Sequence, residues 1–273
     1  MKLKYTWIVF ILSILTLVPI KTYIAIKGND FVIGSIASNT SLSIFIIVTI
    51  ILVLAIIIMS LFSKNVLATI DMPKNIFCGI FALLSGISMI TSGIFDFLSL
   101  SYNMDAKIVV SAIFIVLSGV IFIFIANIHF TGKNMFVPMP LLSLLPTVWA
   151  CVRLMVLFLY HSSVVSGNID MFDIIASMFL ILFFFSHAKA MAYVPGKKLL
   201  QKLFAYGMSA VIILVLYNVT VLCTMKSSDE FSSMYLVDIS LILYIVSLLI
   251  TLSTSKNIEA PQEEYQMYRN RTK

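Results

Sequence analysis

The sequence predicts an all-α membrane protein, a polytopic bundle of about eight transmembrane helices with both termini in the cytoplasm. Hydrophobic residues make up 61% of the 273 residues and charged residues only 11%, whereas soluble domains are about a quarter charged. The apolar residues form runs long enough to cross the hydrocarbon core as helices, which takes about 20 residues. Most of the 18 lysines and arginines fall in alternate loops, and this bias places those loops and both termini in the cytoplasm.

Eight apolar segments are the predicted spans, at residues 5–26, 41–62, 75–98, 108–130, 141–160, 171–193, 203–225 and 234–253. The second, third, fourth and seventh are the clearest, and the second and seventh contain no charged residue. The first follows Lys2 and Lys4, as a signal peptide would, but no small-residue cleavage site comes after it. We therefore expect a retained span, although cleavage would leave the other seven unchanged. Residues 1–254 are predicted to form the transmembrane domain, and residues 255–273 a disordered cytoplasmic tail.

Arg153 is the main charged residue inside a predicted span. Such a charge costs about 2.5–3.5 kcal/mol on insertion scales. Trp149 lies four residues before Arg153 and Pro146 three residues before Trp149, so the three share one helical face. We expect Pro146 to interrupt the span below Arg153. Asp173 starts the next span after a short loop, so we predict an Arg153–Asp173 ion pair. The pair is either a gate or anion-binding site, or a structural pair that sets helix register.

Other polar residues are weaker candidates. Asn218 in the seventh span is predicted to make an interhelical hydrogen bond. On the inner side, Asn127, His129 and His187 are expected to be solvated interfacial residues, although two histidines could also respond to pH. Acids collect on the predicted outer side and form either a cation-attracting vestibule or the charges that the topology rule leaves there: Asp96, Asp105, Asp170, Asp229, Glu230 and Asp238.

Small residues recur along one line of the third span, at Gly79, Ala82, Gly86 and Gly93. Small residues let two helices approach closely in lipid. We interpret this line as a packing seam for a neighbouring helix of the same chain, with a second subunit as the alternative.

The sequence contains no P-loop, GxSxG, HExxH or dinucleotide glycine fingerprint. Its three cysteines stand apart inside apolar segments, so no metal site or cofactor is predicted. No basic stripe with exposed aromatic residues is present, so no nucleic-acid partner is expected. These observations disfavour an enzyme.

The stretch 141–153 contains Pro146, Trp149 and Arg153, and it is followed by Met171-Phe172-Asp173 and the basic loop 197–202. In these features the chain resembles multi-pass membrane proteins of unknown function from low-GC Gram-positive bacteria. The resemblance implies a bacterial plasma-membrane location and implies no activity.

Three functions stay open. Arg153, Asp173 and the interrupted fifth span favour a transporter of an unknown small molecule or ion, embedded in the lipid bilayer. The small-residue seam and the tail favour a membrane sensor or assembly subunit without catalytic activity. A lipid-handling enzyme is the third possibility.

Overall fold

The described part of the chain forms eight long helices. The structure, a computed structural model, describes residues 3–26, 40–63, 70–99, 106–163, 171–196, 198–224 and 233–255. The helices are α1 (Leu3–Ile26), α2 (Thr40–Leu61), α3 (Ile76–Ser99), α4 (Ala106–Thr131), α5 (Leu145–Ser163), α6 (Met171–Met191), α7 (Leu199–Thr224) and α8 (Ser233–Thr254). Each is long and apolar enough to cross a bilayer. The predicted fold class, a helical membrane bundle of eight spans, is confirmed.

Successive helices run in opposite directions, as contacts between their ends show. Asn75, just before α3, donates a 2.6 Å hydrogen bond to Thr251 at the end of α8. Asn134, between α4 and α5, donates a 2.7 Å bond to the carbonyl oxygen of Met191 at the end of α6. The start of α1 packs on the start of α7 through Trp7. The helical region therefore begins and ends on one side, called here the inner side after the predicted charge bias; the opposite side is the outer side.

Six of the helices close into a ring. Neighbours pack in the order α3, α4, α5, α6, α7 and α8, and α8 packs back on α3. Helices α1 and α2 pack on each other and on α7, outside this ring. Helix α7 is thus covered from both sides, which explains why it is buried along most of its described length. The interior of the six-helix ring is the part of the bundle furthest from lipid.

The small-residue seam of α3 packs against α4. A Cβ atom on Gly86 would lie 2.8 Å from the carbonyl oxygen of Gly119, and one on Gly119 would meet the Gly86 carbonyl at the same distance. A Cβ on Gly93 would lie 2.5 Å from Val116. Close helix approach is what such residues permit in lipid. The seam, with Gly79 and Ala82 also on it, is therefore covered by a helix of the same chain.

The expectation that Pro146 interrupts the fifth span is wrong. A 3-10 turn, Pro140–Leu144, precedes α5, which begins at Leu145. Pro146 therefore lies in the first turn of α5, where its missing N–H leaves no helical hydrogen bond broken. The irregular backbone comes before the helix, and Arg153 sits on regular helix. The predicted tail lies outside the described residues except for Ser255.

Candidate functional site

Three charged side chains meet inside the ring, toward its outer side. The Arg153 guanidinium of α5 donates from Nη1 to Asp238 Oδ1 at 2.5 Å and from Nη2 to Asp238 Oδ2 at 2.9 Å. Its Nη2 also donates to Asp173 Oδ1 at 2.7 Å. Asp173 lies on α6 and Asp238 on α8. We call these three residues the ion cluster. The predicted Arg153–Asp173 ion pair is present, as one half of this larger arrangement.

The ion cluster is withdrawn from its surroundings and its formal charges do not cancel. Asp238 is 0% exposed, Arg153 is 4% exposed and Asp173 is 14% exposed. One guanidinium faces two carboxyl groups, so the three groups carry one excess negative charge when both carboxyls are ionised. Charge in the membrane interior is costly unless it is paired.

The acids predicted for the outer side have different fates. Asp238 is fully buried against Arg153, so the expectation that it lines a vestibule is wrong. Asp96 lies near the end of α3, is half-buried, and is not a partner of the guanidinium. The remaining acids lie outside the described residues: Asp105, Asp170, Asp229 and Glu230.

Two aromatic residues border the ion cluster. The Trp149 ring lies 5.9 Å from Arg153 Cζ, as their shared helical face predicts, and its Nε1 has no hydrogen-bond partner among the described residues. Tyr217 of α7 lies within electrostatic range of all three charged groups. The adjacent Asn218, and not Tyr217, is the residue for which the sequence predicts a bond to another helix. Its amide donates to the Leu214 carbonyl oxygen of its own helix. The predicted interhelical bond of Asn218 is not the bond observed.

An aromatic layer lies inward of the ion cluster. Trp149 packs on Phe184 with ring centroids 6.3 Å apart, and Phe184 packs edge-on against Phe122 at 5.9 Å. These three residues, from α5, α6 and α4, are fully or almost fully buried. We call them the aromatic layer. The layer fills part of the interior of the six-helix ring with apolar side chains. The ion pairs at Arg153 lie on its outer side.

A second polar group lies on the inner side of this layer. The Tyr244 hydroxyl is 2.7 Å from His187 Nε2, and the Tyr244 ring contacts Phe122 of the aromatic layer at 5.3 Å between centroids. His129 lies 6.2 Å from Tyr244 between ring centroids, and its Nδ1 is 3.2 Å from the carbonyl oxygen of Pro73. We call His129, His187 and Tyr244 the histidine cluster.

The expected exposure of the two histidines is wrong. His129 is 0% exposed and His187 is 2% exposed, whereas Asn127 is exposed, as predicted. The histidines lie near helix ends along the chain, but Tyr244 of α8 packs on both of them and the backbone of Pro73, before α3, bonds His129. Sequence position along a span reports depth, and it does not report which face of a helix its neighbours cover.

No family model, curated protein or solved structure matches the chain. The function is therefore inferred from the positions of the side chains inside the six-helix ring. Within the described part of the chain, His, Cys, Asp and Glu residues form no group of three that could hold a metal ion. What the interior does offer is a charge-unbalanced ion cluster, hydrogen-bonding groups in a histidine cluster, and apolar rings between them.

Proposed function

We propose that the protein is a carrier for a small molecule or ion in a bacterial plasma membrane, with its path through the six-helix ring. One observation carries the proposal: two buried polar clusters lie on opposite sides of the aromatic layer. A carrier needs groups that can bind its cargo from each side and a barrier between them. The two clusters and the layer have that arrangement.

The depth of the two clusters supports this proposal. Asp173 and His187 both lie on α6, and at 1.5 Å per residue they are about 21 Å apart along the helix. The hydrocarbon core is about 30 Å thick, so a span such as α6 can hold both groups within the core. Ionisable residues inside spans are expensive and mark ion or substrate pathways in many membrane proteins.

The alternative, a sensor or assembly subunit, loses one of its two motives. The α3 seam packs on α4, so its small residues do not present an open surface to a second subunit. The other motive, the tail, lies outside the described residues. The ion cluster could equally hold a static bundle together, and the following experiment separates a static interior from a moving one.

Water access to the aromatic layer tests the carrier proposal. In a protein with the three native cysteines replaced by alanine, a single cysteine is placed at Phe184, in the layer. Its matched control is a cysteine at the adjacent Phe185, which is exposed on the lipid-facing surface of the same helix. Both variants are reconstituted in liposomes and treated with a membrane-impermeant thiol reagent, added outside or enclosed inside.

A carrier opens its interior to water on each side in turn. We expect Phe184→Cys to react from both sides and Phe185→Cys, which faces lipid, to react from neither. An unreactive Phe184→Cys in folded, reconstituted protein would contradict the proposal and favour the sensor or assembly function. Reaction of both positions would show loss of structure instead, and the elution profile on a sizing column detects that case.

A further inference from the structure

The two carboxyl groups of the ion cluster are bound to Arg153 in different ways. Asp238 receives two hydrogen bonds, one on each oxygen, from two nitrogens of the guanidinium. Such a two-pronged contact is the geometry in which a guanidinium and an ionised carboxylate match best. Asp173 receives one bond, on Oδ1, from Nη2, which it shares with Asp238. Asp238 therefore has the geometry of the fixed counter-ion, and Asp173 that of a second, less committed group.

The two carboxyl groups of the ion cluster, when both are ionised, carry one negative charge more than Arg153 neutralises. The charged groups bonded together around Asp173 are Arg153 on α5 and Asp238 on α8. Tyr217 on α7 interacts electrostatically with them, and the ring centroids of Tyr217 and Tyr235 are 6.1 Å apart. The buried Lys21 of α1 has its Nζ 4.1 Å from the ring centroid of Phe172, the residue before Asp173. Within the described residues, the ion pairs of the two carboxyl groups are those with Arg153.

We infer that the ion cluster carries one exchangeable proton, that Asp173 is the residue that binds it, and that the proton is the coupling ion of the proposed carrier. A proton from water on the outer side adds to an oxygen of the Asp173 carboxylate. Arg153 keeps both bonds to Asp238, and its Nη2 still donates to the remaining acceptor oxygen of Asp173. The cluster then has no net charge, and no other bond breaks. The part of this inference that concerns coupling rests on the proposed function.

A proton suits this position better than a metal cation. Three of the four carboxylate oxygens already accept hydrogen bonds from the guanidinium, whereas hard metal cations need several oxygen ligands directed at them. Asp173 also has the largest exposed fraction of the three charged side chains, at 14%, so it is the one that water can reach. The adjacent Trp149 Nε1, buried and without a hydrogen-bond partner among the described residues, is a donor that no cation could use.

Infrared absorption of the purified full-length protein in lipid tests the inference. A protonated carboxyl group has a C=O stretch that a carboxylate lacks, and labelling with ¹³C-aspartate assigns it to aspartic acid. We expect one such band in the wild-type protein, lost when the pH is raised. It should vanish in Asp173→Asn and persist in the matched control Asp96→Asn, which changes an acid outside the ion cluster.

The assignment of roles has its own readout. Asparagine has the shape of a protonated aspartic acid, so Asp173→Asn should fold and keep the thermal midpoint of the wild type. Asp238→Asn should lose stability, because it removes the carboxylate that accepts two of the three guanidinium hydrogen bonds. An unfolded Asp173→Asn, or a loss of stability larger than that of Asp238→Asn, would overturn the assignment of roles.

Three further results would overturn the inference. The first is a wild-type protein with no protonated aspartic acid over the pH range in which it stays folded. The second is an infrared band that survives in Asp173→Asn. The third is the absence of the band together with a thermal unfolding midpoint that rises when Na⁺ is added. The test is independent of cysteine labelling. If Phe184→Cys reacts from both sides but the infrared band is absent, the protein is a carrier without this proton site. If the band is present but Phe184→Cys never reacts, the proton site exists and the carrier proposal fails.

Discussion

The ion cluster and the histidine cluster are both buried in the same ring, yet they are built on opposite principles. In the ion cluster, formal charges are held at 2.5–2.9 Å by hydrogen bonds between groups from three helices. In the histidine cluster, one tyrosine hydroxyl bonds one histidine while the other histidine lies 6.2 Å away between ring centroids. In the ion cluster each charged group has a bonded partner. The histidine cluster has a spare site, a hydrogen-bonding atom without a partner among the described residues.

That spare site can be assigned to one atom. His129 Nδ1 lies 3.2 Å from the Pro73 carbonyl oxygen, which can only accept, so Nδ1 carries the hydrogen. In a neutral imidazole Nε2 then has a bare lone pair, and this atom is buried without a partner among the described residues. Buried charged groups therefore have to be paired, whereas buried neutral polar groups can keep an unpaired atom and can change hydrogen-bond partners.

The largest expected effect tests whether the ion cluster depends on pairing. Asp238→Asn removes the carboxylate that accepts from both guanidinium nitrogens, and a hydrogen bond to a charged group contributes about 1.5–3 kcal/mol. We expect a loss of unfolding free energy of that order, measured by denaturation of the reconstituted protein with SDS. Wild-type stability would mean that Arg153 finds other partners, and the contrast between the clusters would fail on its charged side.

A smaller effect is expected in the histidine cluster. Tyr244→Phe keeps the ring and removes the hydroxyl that bonds His187 Nε2. A buried polar atom left without its hydrogen bond costs about 1–3 kcal/mol, and the same SDS denaturation measures it. Tyr206→Phe, a half-buried tyrosine of α7, is the matched control. A Tyr244→Phe protein as unstable as Asp238→Asn would show that this cluster is as tightly constrained as the ion cluster.

The smallest effect is expected at Asp173. Asp173→Asn keeps an acceptor oxygen for Arg153 Nη2 and leaves both bonds to Asp238 in place. Interhelical hydrogen bonds in membranes contribute about 0.6 kcal/mol on average, so the change in unfolding free energy should not exceed about that value. A loss close to that of Asp238→Asn would make the two acids equivalent and would remove the distinction drawn within the ion cluster.

The fold was largely predictable, because its driving force is local. Each span is a run of apolar residues, and lipid accepts such runs only as helices that satisfy their own backbone. The predicted sixth span, 171–193, compares with α6 at Met171–Met191. The predicted seventh starts at 203, whereas α7 starts at Leu199. Polar residues at the helix start conceal the first turn from an argument based on hydropathy.

The candidate site was predictable only where sequence neighbours build it. Arg153 and Asp173 are joined by a short loop, so adjacency along the chain was enough to pair them. Asp238 is 85 residues from Arg153, and no pattern in the chain links α5 to α8. The choice between Asn218 and Tyr217 also needed the structure, because adjacent residues on a helix differ in direction by about 100°.

The sequence by itself determined that this is a membrane bundle of eight spans, that α3 has a seam of small residues, and that Arg153 needs an acidic partner. Composition and chain adjacency carry this information, because lipid and helix geometry act on each segment separately. The tertiary structure alone decided that six helices close into a ring, that Asp238 completes the ion cluster, and that both histidines are buried. Nearly every face of these helices is apolar, so periodicity does not identify the side that turns inward, and only packing between helices selects it.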